Sequence, residues 1–161
     1  MSGAVTLESG LTFRPYTPGN LEAVVRVFRS NIPKYFTHGE EAGLRDFLRD
    51  VAGEYYVIEK GGEVVGAGGI ALNERQPPDV SLCWGMVRQD HLGTGMGKEL
   101  TQFRIDMARE RYGRLPMVIS TSQHTRGFYE KFGFEMTRHV VDGFSPGIDI
   151  CEMRMEPPLT A

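Results

Sequence analysis

The stretch that decides the fold is "VRQDHLGTGMGKEL", residues 87–100. It places three glycines, Gly93, Gly95 and Gly97, at alternate positions directly before a run of residues with helical spacing. The first turn of a helix exposes backbone N–H groups and carries the positive end of the peptide dipoles, which suits an anion. Glycines in the preceding loop let a phosphate reach those groups, and Lys98 adds a charge. The stretch therefore predicts a strand-to-helix junction that binds phosphate.

Two common phosphate-binding loops do not fit this stretch. The Walker loop requires glycine where Leu92 stands and Ser or Thr where Glu99 stands. The dinucleotide fingerprint requires glycine at the position of Lys98, in the first strand-helix unit of a parallel sheet. A tight turn without any ligand remains an equal alternative for an isolated glycine cluster.

The pattern of apolar residues on either side of the junction predicts seven strands and four helices. We expect strands in residues 11–16, in two segments of 55–72 that form a hairpin at Gly61–Gly62, and in residues 80–87, 115–122, 134–141 and 149–156. We expect helices in residues 17–30 and 38–53, from Gly95 onward, and in residues 124–132, with a turn at "DGFSPG" (142–147). This order predicts an α/β fold in which helices cover the faces of one central mixed sheet.

Composition limits the classes of function. A chain of 161 residues with 40% hydrophobic residues suits a single domain, 1–161, in which we expect residues 1–10 to be a flexible extension. The net charge of −3 argues against nucleic acid, and no apolar run is long enough to span a membrane. The opening residues lack a secretory signal, so we expect a cytoplasmic protein with reduced thiols. Cys83 and Cys151 lack metal-ligand spacing, and we expect no metal site.

A second motif, "STSQHTRGFYEKFGFE" (120–135), follows the glycines by about 25 residues. With the two motifs in this order and spacing, the chain resembles the GCN5-related N-acetyltransferase (GNAT) superfamily over nearly its whole length. The resemblance implies about seven mostly antiparallel strands, helices on both faces, and a central pair of strands that splay apart. It also implies that acetyl-CoA is the cosubstrate.

The resemblance assigns roles to particular residues. The glycine segment would bind the pyrophosphate of acetyl-CoA, and the backbone of the preceding strand would pair with its pantetheine arm. The implied cofactor-binding residues are Met86, Val87, Leu92, Gly93, Thr94, Gly95, Met96, Gly97, Lys98, Ser122 and Phe128. The family often has Arg or Gln at the position of Leu92 and Asn at that of Ser122. Because the backbone makes most phosphate contacts, we expect Leu92 to weaken binding rather than abolish it.

Tyr129 is the catalytic residue that the resemblance implies. Attack of an amine on a thioester expels a sulfur anion, and a phenol, with an ordinary pKa of about 10, can protonate it. A packed tyrosine without a catalytic role is the alternative. The base is not identified: Glu74, Asp79 and His38 are candidates, although each is more typical of a solvated surface group. Cys83 lies in an apolar strand, which favours inert packing over nucleophilic catalysis.

These motifs predict an N-acetyltransferase that moves an acetyl group to a primary amine of a small molecule or peptide by direct attack in a ternary complex. Tyr35, Phe36 and the turn "DGFSPGID" (142–149) are candidates for the acceptor pocket, with loop packing as an equal alternative. One alternative function is a non-catalytic domain that binds acyl-CoA. A less favoured alternative is a metalloenzyme of the glyoxalase and bleomycin-resistance fold. A homodimer stays open.

Overall fold

An eight-stranded mixed sheet runs through the computed structural model, which describes residues 3–51, 54–91 and 93–157. The strands are β1 (Val5–Thr6), β2 (Thr12–Pro15), β3 (Glu54–Lys60), β4 (Glu63–Asn73), β5 (Asp79–Val87), β6 (Met117–Thr121), β7 (Glu135–Ser145) and β8 (Ile148–Met155). The helices are α1 (Leu21–Ser30), α2 (Glu41–Arg49), α3 (Met96–Tyr112) and α4 (Arg126–Glu130). Within the described ranges, none of these helices is long and apolar enough to cross a membrane.

The strand order is β1-β2-β3-β4-β5-β6-β8-β7. β5 and β6 are parallel, with Val80 opposite Met117 and Ser81 opposite Val118, whereas the pairs β1/β2, β2/β3, β3/β4, β6/β8 and β7/β8 are antiparallel. The predicted mixed α/β sheet is therefore confirmed. The strand count is eight rather than about seven, because residues 5–6 of the expected N-terminal extension pair with β2.

The hairpin between β3 and β4 has the predicted turn. Gly61 and Gly62 have φ angles of 59° and 85°, in the left-handed region that two-residue hairpin turns require and that glycine adopts without strain. Lys60 and Glu63 close the ladder on either side of the turn. The local glycine signal was therefore sufficient to place both strands.

The chain divides into two compact units, Met1–Ala71 with Cys83–Arg104, and Leu72–Leu82 with Ile105–Ala161. The assignment of 1–161 to a single domain stays a prediction. Strands β4 and β5 and helix α3 contribute residues to both units.

The core of the first unit uses the alternation of β3. Tyr55 and Val57 join a buried cluster with residues of α1 and α2, among them Phe28 and Leu44. The next residue, Tyr56, instead makes an edge-to-face contact with Phe103 of α3, with 5.1 Å between the ring centroids. Successive strand residues point to opposite faces, so this unit has helices on both faces of its strands.

The second unit differs from the prediction at its last turn. β7 extends to Ser145, and the turn is confined to Pro146 and Gly147 rather than to "DGFSPG" (142–147). The register shifts between Val140 and Ser145, where Asp142 has a φ of 55°. The Asp142 carboxylate accepts a hydrogen bond of 2.7 Å from the Gly147 N–H, so this irregular segment stays attached to the hairpin.

Candidate functional site

The glycine loop, residues 93–98, lies directly at the start of α3. Gly93 and Gly95 are exposed and have φ angles of 81° and 86°. A Cβ added at either position would have no neighbouring atom within 4 Å. These positions need glycine for their backbone conformation rather than for lack of room. No part of the described chain covers Gly95 at this distance, so the loop backbone is accessible, as an anion site at a helix start requires.

Residues at the start of α3 differ in exposure. Met96 is 2% exposed and anchors the helix start in the core, while Lys98 is exposed. The Glu99 N–H donates to the Gly95 carbonyl at 3.1 Å, which forms the first helical hydrogen bond of α3. The Glu99 carboxylate accepts a 2.9 Å hydrogen bond from Ser9 of the N-terminal turn. Leu92, the departure from the family pattern, lies outside the described residues.

The segment that precedes the glycine loop is tightly held. The Arg88 N–H donates to the Val65 carbonyl of β4 at 2.7 Å, and the Thr94 hydroxyl donates to the His91 carbonyl at 2.6 Å. The Arg88 guanidinium binds the Asp90 carboxylate at 2.7 Å. Residues 88–91 and Thr94 are therefore held by several hydrogen bonds, which favours a preformed site.

The end of α1 also fixes the end of β5. Asn31 is 5% exposed, and its side-chain amide donates to the carbonyls of Val27 and Val87, both at 3.0 Å. The Gln89 N–H donates to the Ser30 hydroxyl at 3.0 Å. Val87 is one of the two residues whose backbone is expected to hold the pantetheine arm, and its carbonyl already accepts one internal hydrogen bond. Sequence reasoning missed Asn31, although an asparagine directly after a predicted helix is a recognisable end signal.

β5 is distorted beside this contact. Trp84 has a φ of 42°, rare for a residue that is not glycine, and its carbonyl accepts a 2.8 Å hydrogen bond from the Tyr55 hydroxyl. A Cβ on the next residue, Gly85, would lie 2.6 Å from the guanidinium nitrogens of Arg104. Arg104 is only 1% exposed. Its position four residues after Leu100, on the apolar face of α3, was a signal that the sequence analysis did not use.

The second unit holds the other predicted residues. The Ser122 carbonyl accepts the N–H groups of Thr125 and Arg126, at 3.1 and 3.0 Å, so Ser122 supports the start of α4. Tyr129 is 8% exposed, with its ring centroid 5.1 Å from that of Phe128 and 5.9 Å from that of Phe134. The packing of three aromatic rings orients the tyrosine ring.

The predicted site residues thus form two local groups. Met86, Val87 and residues 93–98 belong to the first unit, while Ser122, Phe128 and Tyr129 belong to the second. Tyr35 and Phe36 belong to the first unit, where both N–H groups bond to the Asn31 carbonyl, at 2.9 and 3.2 Å respectively. The turn segment 142–149 belongs to the second unit.

Asp79 is unsuited to the role of general base. Its carboxylate is buried and accepts hydrogen bonds from Arg75 at 2.7 and 2.9 Å and from Asn73 at 2.7 Å. Burial opposes ionisation, but the hydrogen bonds from Arg75 and Asn73 outweigh it and lower the pKa of Asp79. A carboxylate with a low pKa accepts a proton poorly, so Asp79 instead stabilises the start of β5.

The remaining polar candidates are also weak. Burial raises the pKa of the Cys83 thiol to about 11, so the thiol stays protonated at neutral pH, as inert packing requires. Glu74 and His38 are exposed. In the parts of the chain that the structure describes, no three His, Cys, Asp or Glu side chains are grouped to hold a metal ion.

One protein-family model matches most of this chain. A family model described as "Acetyltransferase (GNAT) domain" matches residues 27–157. A search among curated proteins finds no significant match.

Solved structures share the fold at low sequence identity. A protein from Desulfovibrio desulfuricans assigned to the GNAT family of acetyltransferases has a TM-score of 0.77 and 21% identity, over 91% of this chain and 98% of its own. A GCN5-related N-acetyltransferase from Kribbella flavida has a TM-score of 0.74 and 18% identity, over 93% and 99%. A GNAT family acetyltransferase from Elizabethkingia anophelis with acetyl-CoA bound has a TM-score of 0.67 and 18% identity, over 92% and 99%.

Proposed function

This chain belongs to the GNAT acetyltransferase family, and from that premise we propose that it transfers an acetyl group from acetyl-CoA to a primary amine of a small molecule or peptide. The observation that carries the proposal is the open glycine loop at the start of α3. Exposed Gly93 and Gly95 leave the backbone accessible, and exposed Lys98 adds a positive charge. Backbone N–H groups and a positive helix end are what a diphosphate needs. The Elizabethkingia anophelis protein, which carries acetyl-CoA, supports this donor.

The proposed reaction is direct attack within a ternary complex. The amine lone pair attacks the carbonyl carbon of the thioester, so a C–N bond forms and the C–S bond breaks. The Tyr129 hydroxyl protonates the departing sulfur, which yields free coenzyme A. The proton that the nitrogen loses passes to water, from which Tyr129 regains its own. Within the described residues we assign no base, because the carboxylate of Asp79 is bound to Arg75 and Asn73.

The backbone of β5 is the proposed partner of the pantetheine arm. The side chain of Met86 is 3% exposed and packs in the core, so only its main chain is suited to ligand contact. Val87 has its carbonyl fixed by Asn31. A fixed strand end is preorganised for pairing with an extended ligand, which reduces the entropy lost on binding.

Calorimetry with acetyl-CoA is the first test of the proposal. We expect saturable binding to the wild-type chain, and a chain that gives no heat at millimolar acetyl-CoA would contradict the proposal. Release of free thiol is then measured with a panel of primary amines. Tyr129→Phe should lower kcat by about 100-fold or more while acetyl-CoA still binds, because general acid catalysis typically contributes about 10²–10⁴-fold. Unchanged kcat would remove Tyr129 from the mechanism.

A non-catalytic acyl-CoA-binding domain is the second candidate, and the departure at Leu92 from the family pattern favours it. Binding of acetyl-CoA without acetylation of any amine in the panel would support this candidate. The third alternative, a glyoxalase-type metalloenzyme, belongs to a different family from the one that the family model shows, and we do not propose it.

A further inference from the structure

Trp84 interrupts β5 with a backbone conformation that needs an explanation. A φ of 42° is rare for a bulky residue, and such outliers persist only where the surrounding structure enforces them, most often at ligand sites. The Tyr55 hydroxyl holds the Trp84 carbonyl at 2.8 Å. Tyr55 is itself buried, and burial raises the pKa of its phenol, so it stays a neutral donor. The distortion is therefore built into the core.

The distortion directs the Trp84 ring toward the link between α1 and α2. Its centroid is 6.0 Å from that of Phe36, at 31° between ring planes, and 6.4 Å from that of Phe28, at 64°. We call Phe28, Phe36 and Trp84 the aromatic cluster. Phe28 is fully buried, but Phe36 and Trp84 are only partly buried. Phe36 and Trp84 therefore retain some exposed surface beside the fully buried Phe28.

The opposite side of β5 is closed at this point. The position of a Cβ on Gly85 is occupied by the guanidinium of Arg104, 2.6 Å away, and Arg104 is 1% exposed. On the ring side, a Cβ on Gly43 of α2 would lie 3.8 Å from Trp84 Cζ2, an ordinary van der Waals distance, so α2 passes close to the edge of the indole. The ring of Trp84 therefore has contacts with α1, with α2 and with the link between them.

Trp84 is also close in sequence to the proposed donor site. It lies in β5 two residues before Met86 and three before Val87. Asn31 connects Phe36 to the same strand end. The Phe36 N–H donates to the Asn31 carbonyl at 3.2 Å, and the Asn31 side chain donates to the Val87 carbonyl. The exposed rings are thus tied to the strand end that we assign to the pantetheine arm.

We propose that Trp84 and Phe36 are specificity-determining residues and that the acceptor is a primary amine carrying an aromatic ring close to its nitrogen. This inference rests on the proposed acetyltransferase function and adds the acceptor class. Aromatic pairs gain energy from edge and face contacts beyond the burial of apolar area. Tryptophan is also the side chain whose face best attracts an ammonium group before deprotonation. An aliphatic amine also gains apolar burial and the ammonium contact, but it lacks the contact between aromatic rings.

The wild-type chain tests this inference without any substitution, because Trp84 is its only tryptophan. Indole fluorescence is recorded while 2-phenylethylamine, 2-cyclohexylethylamine or ethylamine is added, with and without coenzyme A. We expect a saturable change with 2-phenylethylamine at concentrations about tenfold lower than with the cyclohexyl analogue. This ratio corresponds to a difference of about 1.4 kcal/mol in binding free energy. No change with 2-phenylethylamine, or an equal response to the cyclohexyl analogue, would overturn the inference.

Variants then separate specificity from folding. Trp84→Phe retains an aromatic ring and should keep the preference, measured as the ratio of kcat/KM for 2-phenylethylamine to that for ethylamine. Trp84→Leu should lower this ratio by about tenfold or more, mainly through KM for the aromatic amine, since loss of pocket contacts costs about 10- to 200-fold. The control is Phe47→Leu, which should leave the ratio unchanged. Phe47 lies in α2 outside the aromatic cluster, and its ring centroid is 5.3 Å from that of Tyr55.

The outcomes distinguish this inference from the proposed function. If acetyl-CoA binds and amines are acetylated with no aromatic preference, the inference fails and the acetyltransferase stands. If acetyl-CoA gives no heat in calorimetry, the proposed function fails whatever the fluorescence shows. An equal fall of the ratio in Trp84→Leu and Phe47→Leu would assign Trp84 a structural role only.

Discussion

Glycine serves opposite purposes in two regions of this molecule. In β4 and β5 the glycines are packed: a Cβ on Gly69 would lie 2.0 Å from the backbone oxygen of Glu54, and one on Gly85 would meet Arg104 at 2.6 Å. In the glycine loop, a Cβ on Gly93 or Gly95 would have no atom within 4 Å, but both residues have φ above 80°. The first region needs glycine for space and the second for backbone conformation.

This difference separates folding from function within one residue type. A side chain added to β4 must displace neighbouring backbone, so its effect falls on the stability of the fold. A side chain added to the glycine loop has free space, so its main effect falls on whatever approaches the loop. The comparison can be tested residue by residue.

The largest effect is expected for Gly69→Ala. Its methyl group would collide with the Glu54 carbonyl and separate β3 from β4, so we expect a loss of about 3 kcal/mol in the free energy of unfolding. Urea denaturation measures this loss. Gly127→Ala is the control, because a Cβ at Gly127 of α4 meets nothing within 4 Å at an ordinary φ, and alanine should be neutral or slightly stabilising. Equal losses in both variants would abolish the distinction between packed and open glycines.

The second effect concerns a packed charge, Asp79, at the start of β5. Asp79→Asn loses charge-assisted hydrogen bonds to Arg75 and should cost about 2 kcal/mol at pH 7. The folded pKa of Asp79 lies below its ordinary value of 3.8, so its stabilisation is complete above about pH 4 and is lost as the pH falls through the folded pKa.

Denaturation of both proteins at pH 7 and pH 3 checks this sign, because the difference between wild type and Asp79→Asn should shrink at the lower pH. The control is Asp46→Asn, which removes an exposed ion pair with Arg49 and should change stability by less than about 0.5 kcal/mol. A difference that grows toward acid pH would contradict the assignment.

The third effect is expected in the glycine loop. Gly95→Ala forces an alanine into φ 86° and should cost about 1 kcal/mol of stability, while the new methyl group should weaken acetyl-CoA binding about tenfold. Gly113→Ala, directly after α3, has the same kind of strain, with φ 68° and open space, and should cost similar stability without loss of binding. Calorimetry and denaturation of both variants separate the two effects. If both variants lose the same affinity for acetyl-CoA, the glycine loop is not the donor site.

The smallest effect is expected beside the loop, at Ser30. Ser30→Ala removes the hydroxyl that accepts the Gln89 N–H, which water replaces in part, so we expect about 0.5 kcal/mol of destabilisation. Hydrogen exchange at the Gln89 amide should accelerate, and acetyl-CoA affinity should fall by about twofold, the equivalent of that energy. Unchanged exchange would show that the loop is positioned without α1.

Local signals explain what the sequence could predict. The Gly61–Gly62 turn and the start of α3 at Met96 depend on glycine conformation and apolar spacing over a few residues, and both positions are confirmed. Two motifs in series then predicted the family that the family model shows. The assignments of Tyr129 and of the cofactor-binding residues stay predictions, because structures at about 20% identity show the fold alone.

The features that escaped prediction depend on contacts between distant residues. Asn31 reaches Val87 across 56 positions, and Tyr55 reaches Trp84 across 29, so no pattern within a window of sequence contains either pair. Asp79 was expected at the surface because charged residues usually are, and its burial depends on Arg75 and on Arg154 of the last strand. The short strand β1 carries too few apolar residues for a periodic signal.

The free space around Gly93 and Gly95 has an evolutionary consequence. A single base change that turns either glycine into alanine should cost only about 1 kcal/mol of stability, yet it should weaken the proposed donor site about tenfold. A duplicated copy of such a gene would therefore lose affinity for the proposed donor early and keep its scaffold for other uses. Drift toward inactive relatives should begin at these two positions, long before it reaches the crowded strands.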